Sequence, residues 1–254
     1  MTTANKFNLS GKKALITGGS KGLGFAIAKV FIEYGAEVII TGRNKEHMNK
    51  ACKELGEKCT GLIFDLKDLN RIGAFISTIE EEHGAIDILV NNAGIHLKKD
   101  ALDVSDEEYE EVIRINQQAV FALSRECAKK MMIRKKGTII MVSSMASQYG
   151  IPKVIAYTAA KSAVEGMTRG LAVELSPLGI RVNCIAPGFI ETDMSSKALN
   201  GDKERKQRVL SRTPMGKLGA PDDVAHAAVY LSSDAAGYIT GIVLPVDGGN
   251  AIGF

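Results

Sequence analysis

Cysteine is scarce in this chain, and its spacing is uninformative. The four residues, Cys52, Cys59, Cys127 and Cys184, form no CxxC pair, and no His/Cys group has zinc-ligand spacing. That leaves neither a disulfide framework nor a metal site to read, so free thiols in a reducing cytoplasm are the expectation. A dominant charge is also missing. The 32 basic and 29 acidic residues leave a net charge of +3, too mild and too mixed for a nucleic-acid surface. No stretch reaches the ~18–20 consecutive apolar residues of a membrane span, and the N-terminus has no apolar signal core. What remains is an ordinary globular composition over 254 residues, 45% hydrophobic and 24% charged. Glycine is abundant, at 26 residues, but follows no period. Such glycines point to tight turns and close backbone approaches.

Short apolar runs alternate with amphipathic stretches along the whole length. Residues 13–17, 37–41, 60–65, 86–91, 137–143, 181–185 and 242–246 read as seven strands rich in Ile, Val and Leu on both faces. Helical spacing covers 23–34, 106–132 and 157–176. Repeated βα units with doubly apolar strands predict one α/β domain, an open parallel sheet covered by helices on both faces. The irregular part is 188–217, with a helix expected over 195–212. So long an excursion is a candidate substrate lid, or else a plain surface loop.

The first strand runs into Thr17-Gly18-Gly19-Ser20-Lys21-Gly22-Leu23-Gly24 and then an apolar helix. A strand, glycine turn and helix in that order suit a pyrophosphate, because bare backbone lets the anion approach the helix N-terminus. A dinucleotide site of the NAD type places an acid at the end of the second strand. Here Gly42 occupies that position and Arg43 follows it. With Lys21 in the turn, two cations and no carboxylate favour the 2′-phosphate of NADP, with NAD as the alternative. Asp65, at the end of the third strand, is either an acceptor for the adenine amino group or a local cap.

Tyr157 and Lys161 stand four residues apart, on one face of a helix. A free phenol titrates near pH ~10, and a nearby ammonium favours its ionised form, so the pair suits proton transfer. Ser143 and Ser144 end the fifth strand, at the sheet edge where ligands bind. Asn116 lies inside a long helical stretch, where asparagine is a poor fit and suggests a kink or a bound water.

Together these residues resemble the short-chain dehydrogenase/reductases, over 11–249. The resemblance rests on Thr17 to Gly24, Asn91-Asn92-Ala93-Gly94, Asn116, Ser144, Tyr157 with Lys161, and Pro187-Gly188. It implies a doubly wound Rossmann-type domain that moves a hydride between NAD(P)(H) and a secondary alcohol or ketone. By that resemblance Tyr157 is the acid/base and Ser144, rather than Ser143, polarises the substrate oxygen. Lys161 holds the nicotinamide ribose and lowers the Tyr157 pKa, and Asn116 holds a water linked to Lys161. The implied cofactor contacts are Gly18, Ser20, Lys21, Gly22, Leu23, Gly24, Arg43, Asp65, Leu66, Asn92, Ala93, Gly94, Tyr157, Lys161, Pro187, Gly188, Ile190 and Thr192. A homotetramer built on the helices of 107–132 and 157–176 is implied as well. Gln118-Ala119 departs from the small-residue pair frequent after the family's asparagine.

Two substrate classes compete within the family. Segments 91–99 and 187–194 resemble the sugar-acid and polyol dehydrogenases. The basic residues Lys203, Arg205, Lys206, Arg208 and Arg212, with Lys135 and Lys136, would suit an acidic acyl carrier protein. Leu178, however, stands where carrier-protein reductases have arginine, and Asp202 and Glu204 interleave with the basic run. The small polyhydroxy substrate is therefore preferred. A cofactor-binding regulator without turnover is the alternative from another class. It would have no use for Ser144, Tyr157 and Lys161, which are all present.

Overall fold

The computed structural model describes residues 5–192 and 201–253. Residues 193–200, which include Met194 and the start of the helix expected over 195–212, lie outside the described residues.

Seven strands form one sheet: β1 (Lys13–Thr17), β2 (Glu37–Gly42), β3 (Cys59–Ile63), β4 (Ile88–Asn91), β5 (Gly137–Val142), β6 (Ile180–Pro187) and β7 (Val243–Val246). Their order is β3-β2-β1-β4-β5-β6-β7, and every neighbouring pair is parallel. The expected strands are present with shifted ends. β3 starts one residue early and stops at Ile63, because Phe64 and Leu66 turn into the core instead of continuing the ladder. β4 begins at Ile88 and β6 continues to Pro187.

Adjacent strand residues go to opposite faces. Ile16, Ile40, Val90 and Ile140 pack on one side, with Ala26, Ile27 and Phe31 of α1 (Gly22–Glu33) and Val224 and Ala228 of a late helix, Pro221–Ser232. Leu15, Ile39, Leu89 and Ile139 pack on the other, against α3 (Ile72–His83), α5 (Ala119–Arg134) and α6 (Ile155–Leu175). Each such side chain, fully buried, contributes roughly 1.5–3 kcal/mol. Two apolar layers per strand explain the unbroken Ile/Val/Leu runs.

The remaining α-helices among the described residues are α2 (Lys45–Leu55), α4 (Asp106–Ile113), α7 (Lys203–Arg212) and α8, the late helix just mentioned. Local chemistry sets their ends. Asn44 accepts from the His47 amide to start α2. Ser105 and Glu108 form a reciprocal capping box on α4, and Asp202 caps α7 through the Arg205 amide. The stretch expected as one helix over 106–132 is instead interrupted by a π turn at Arg114–Gln118, and helix resumes to Arg134. Among the described residues no helix is long and apolar enough to cross a membrane.

The strand order reverses between β1 and β4, each of which leads away from the other. Loops at the carboxyl ends of these strands therefore part and leave a crevice, the general ligand position of such sheets.

Candidate active site

The loops after β1 and β4 are laced together at that crevice. The Thr17 hydroxyl accepts from the Asn92 and Ala93 amides at 3.1 and 3.0 Å. Asn92 Nδ2 donates to the Thr17 carbonyl at 2.9 Å. The Asn92 side chain thus braces the turn. The glycines divide into two roles. A Cβ at Gly24 would lie 2.5 Å from the Gly18 carbonyl oxygen and from Asn92 Nδ2, and one at Gly18 would lie 3.0 Å from Ala93 Cα. Those two glycines permit chain-on-chain packing. Gly22, with φ +58°, opens instead onto free space at the start of α1. No side chain caps that helix start, and its first turn carries no acid. The free amides and positive dipole end form a cradle that suits a phosphate.

Past the cradle, Ser20 and Arg43 flank Gly42, where a Cβ would meet Ser20 Oγ at 3.2 Å. The Arg43 guanidinium lies 4.0 Å from the Asp65 carboxylate, with both side chains well exposed. At that exposure the pair is worth little and leaves Arg43 available. Asp65 Oδ1 accepts from the Lys67 amide at 3.0 Å, an Asx turn and not a helix cap. Leu66 is buried in the core. On the far side of the crevice Gly188 donates to Val246 from the end of β6, and Ile190 is buried beside Gly219. Thr192 closes the described stretch.

The second group of residues gathers at the ends of β4 and β5 and the first two turns of α6. Ser144 leaves β5 in an extended conformation, accepts from the Ala146 amide at 3.2 Å, and acts on the Tyr157 phenol as a neighbour that favours its ionised form. Lys161 is buried one turn below Tyr157, its Nζ 5.6 Å from the phenol ring centroid, and donates to the Val142 carbonyl at 2.7 Å. A Cβ at Gly94 would lie 3.0 Å from Asn116 Oδ1 and 3.8 Å from Lys161 Nζ, so those three positions meet. Asn116 sits in the π turn. Its side chain is spent on Ile95, accepting from the amide and donating to the carbonyl, both at 2.8 Å.

Burial works against the lowering of the Tyr157 phenol expected from Lys161. Desolvation pushes the phenol above its ordinary value, and Ser144 only partly opposes that. The ammonium is itself pushed down to about 8 by burial.

Three features were not read from the sequence. The His96 ring stacks on the Tyr157 ring at 3.9 Å and 22°. The buried Glu165 carboxylate holds the loop behind Ser144, accepting from Ser143 at 2.9 Å, from Gln148 at 2.8 Å, and from Ser147. Ser143 therefore faces away from Tyr157. Third, Asn250 is fully buried and joins α7 to the end of the chain. It donates to Thr213 Oγ1 at 2.8 Å, and its carbonyl accepts from Arg212. Its Oδ1 accepts from the Tyr149 hydroxyl, and the Arg212 guanidinium lies 4.1 Å over the Tyr149 ring. Glu165 had one available signal: it follows Lys161 by four residues on the helix face that meets the sheet.

All four cysteines are free. Cys127 and Cys184 are buried, as expected, whereas Cys52 and Cys59 are only partly covered and lie 3.8 Å apart.

The family model described as enoyl-(acyl carrier protein) reductase matches residues 18–251. The chain belongs to the short-chain dehydrogenase/reductase family. It is an oxidoreductase of the kind that acts on alcohols and ketones with NAD(P). A 3-oxoacyl-acyl-carrier-protein reductase of Vibrio harveyi is 43% identical over 242 residues, covering 95% of this chain and 98% of its own. A 3α-hydroxysteroid dehydrogenase of Mediterraneibacter gnavus is 41% identical over 245 residues, covering 94% and 97%. Among solved structures, a gluconate 5-dehydrogenase from Burkholderia cenocepacia, in complex with NADP and tartrate, superposes with a TM-score of 0.93. That protein is 33% identical, with 98% of this chain and 99% of that one covered. Relatives this similar are named for 3-oxoacyl-acyl-carrier-protein, 3α-hydroxysteroids and gluconate, so family membership fixes the reaction type and leaves the substrate open.

Proposed function

We propose that this enzyme uses NADP(H) to interconvert a small keto sugar acid and its secondary alcohol. The Ser144, Tyr157 and Lys161 cluster supports the reaction. Bound NADP(H) supplies or accepts the hydride. The Tyr157 phenol gives its proton to the ketone oxygen in reduction and takes it back in oxidation. Ser144 donates a hydrogen bond to the same oxygen, and Lys161, beside Gly94 and Asn116, replaces the phenolic proton. The open cradle at Gly22 suits the pyrophosphate, and Ser20, Lys21 and Arg43 suit the 2′-phosphate. Pro187, Gly188, Ile190 and Thr192 form the nicotinamide side, with 188–217 as the lid.

The single observation that favours a sugar acid is the division of the basic run on α7. Arg205, Lys206 and Arg212 are half-buried, whereas Lys203 and Arg208 are exposed. Partly covered cations suit a small anion better than a carrier-protein dock, which needs them outside. Bound tartrate in the Burkholderia relative is consistent with a hydroxy acid in the crevice. The test compares NADPH oxidation with keto sugar acids and with carrier-linked 3-oxoacyl chains. A higher kcat/KM for the sugar acids is expected, and a large preference for the carrier-linked substrate would overturn the assignment.

Cofactor choice has its own test. Arg43→Ala is expected to weaken NADPH binding by ~1.5–3 kcal/mol, the worth of a charge-assisted hydrogen bond, while NADH binding barely changes. Titration calorimetry with both cofactors decides it; equal losses would remove Arg43 from the phosphate site.

A further inference from the structure

Glu165 carries a carboxylate in the interior that the reaction described above does not use. It lies on α6, one turn beyond Lys161, and is 8% exposed. Three neutral side chains donate to it, all from the loop that carries Ser144. Ser143 does so at 2.9 Å, Gln148 reaches both oxygens at 2.8 Å, and Ser147 completes the set. These donors stand on both sides of Ser144 in the chain. Ser147 also lies against the Ser144 carbonyl, which accepts from the Ser147 amide at 3.0 Å. The Ser144 hydroxyl oxygen accepts from the Ala146 amide, so its own proton is left to donate.

We propose that Glu165 is a positioning residue for catalysis: its carboxylate clasps the chain on either side of Ser144 and fixes where that hydroxyl points. The inference rests on the role of Ser144 in the proposed reaction and holds for either substrate class. A carboxylate suits the task because it only accepts, and its two oxygens offer about four lone-pair sites. Gln148 bridges both oxygens, so an amide in place of the acid would set one NH2 against another in either orientation. A donor aimed at a donor would push that side of the loop away. A hydroxyl that must meet a developing charge at about 2.7–3.1 Å tolerates little displacement. A shift of about 1 Å can cost about 10²-fold in rate.

The test has two readouts. Hydrogen exchange of the full chain, followed on the peptide spanning 143–149, is expected to quicken in Glu165→Gln. It should recover partly in Glu165→Asp, which keeps two acceptor oxygens. Turnover with NADPH is measured on whichever keto sugar acid or carrier-linked 3-oxoacyl chain the enzyme reduces. Glu165→Gln is expected to lower kcat by about 10–100-fold, with NADPH affinity close to wild type. In a Ser144→Ala background the same substitution should cost almost nothing further, because the group it positions is gone. A purely structural role would give the same loss in both backgrounds. Gln148→Ala leaves the acid in place and should show the same pattern with a smaller loss; it decides the matter if Glu165→Gln does not fold. Unchanged exchange, unchanged kcat, or full additivity with Ser144→Ala would overturn the inference. If Ser144→Ala itself keeps the wild-type kcat, the role of Ser144 falls and the inference with it. If Ser144→Ala is impaired and the losses simply add, the Glu165 inference alone falls.

Discussion

Replacing Tyr157 by Phe is expected to cut kcat by about 10²–10⁴-fold, the range supplied by a positioned acid or base, with NADPH affinity nearly unchanged. The substitution removes one oxygen and keeps the ring beneath His96, so packing survives. Only the proton donor is lost. The raised phenol pKa gives the expectation a direction. A neutral phenol is already the form needed to protonate a ketone, so reduction should be insensitive to pH near neutrality. Oxidation needs the phenolate and should speed up as the solution becomes alkaline. Steady-state rates in both directions, with NADPH binding measured separately, check this. Substantial turnover by the Phe variant would remove Tyr157 from the mechanism.

Lys161→Met is expected to lose most activity and also to change how stability depends on pH. Burial lowers the ammonium to about 8 from an ordinary 10.5, with the Val142 carbonyl as its hydrogen-bond acceptor. A cation whose folded value is depressed binds fewer protons folded than unfolded between those two pH values. Stability attributable to Lys161 therefore rises as pH increases from about 8 toward 10.5, and below that window the buried charge is a net cost. That cost is on the order of 3 kcal/mol. Met cannot titrate, so the difference between wild type and variant isolates the effect. Urea midpoints between pH 7 and 10 should show wild type gaining on the variant. Parallel curves would mean that Lys161 is not desolvated as described.

Much of this architecture was legible beforehand because its causes are local. The strands of the sheet were readable from their doubly apolar runs, and the cradle from a glycine turn between strand and helix. What escaped depended on contacts between distant segments. Nothing around His96 predicts that its ring lies on Tyr157, because the backbone of a different loop puts it there. The Arg114–Gln118 π turn was foreshadowed by Asn116, yet the use of the Asn116 side chain on Ile95 was not. A tyrosine and lysine at i and i+4 share a helix face, but spacing cannot tell how deeply either is desolvated. That is why the burial of the Tyr157 phenol, which pushes its pKa up, could not be read from the spacing. The choice of Ser144 over Ser143 came from the family resemblance, and the geometry adds a reason for it: Glu165 takes Ser143.

Asn250 ties the α7 end and the loop of Tyr149 to the last turn of the chain. Loss of the Asn250 side chain would thus release α7 and the Tyr149 loop in one step.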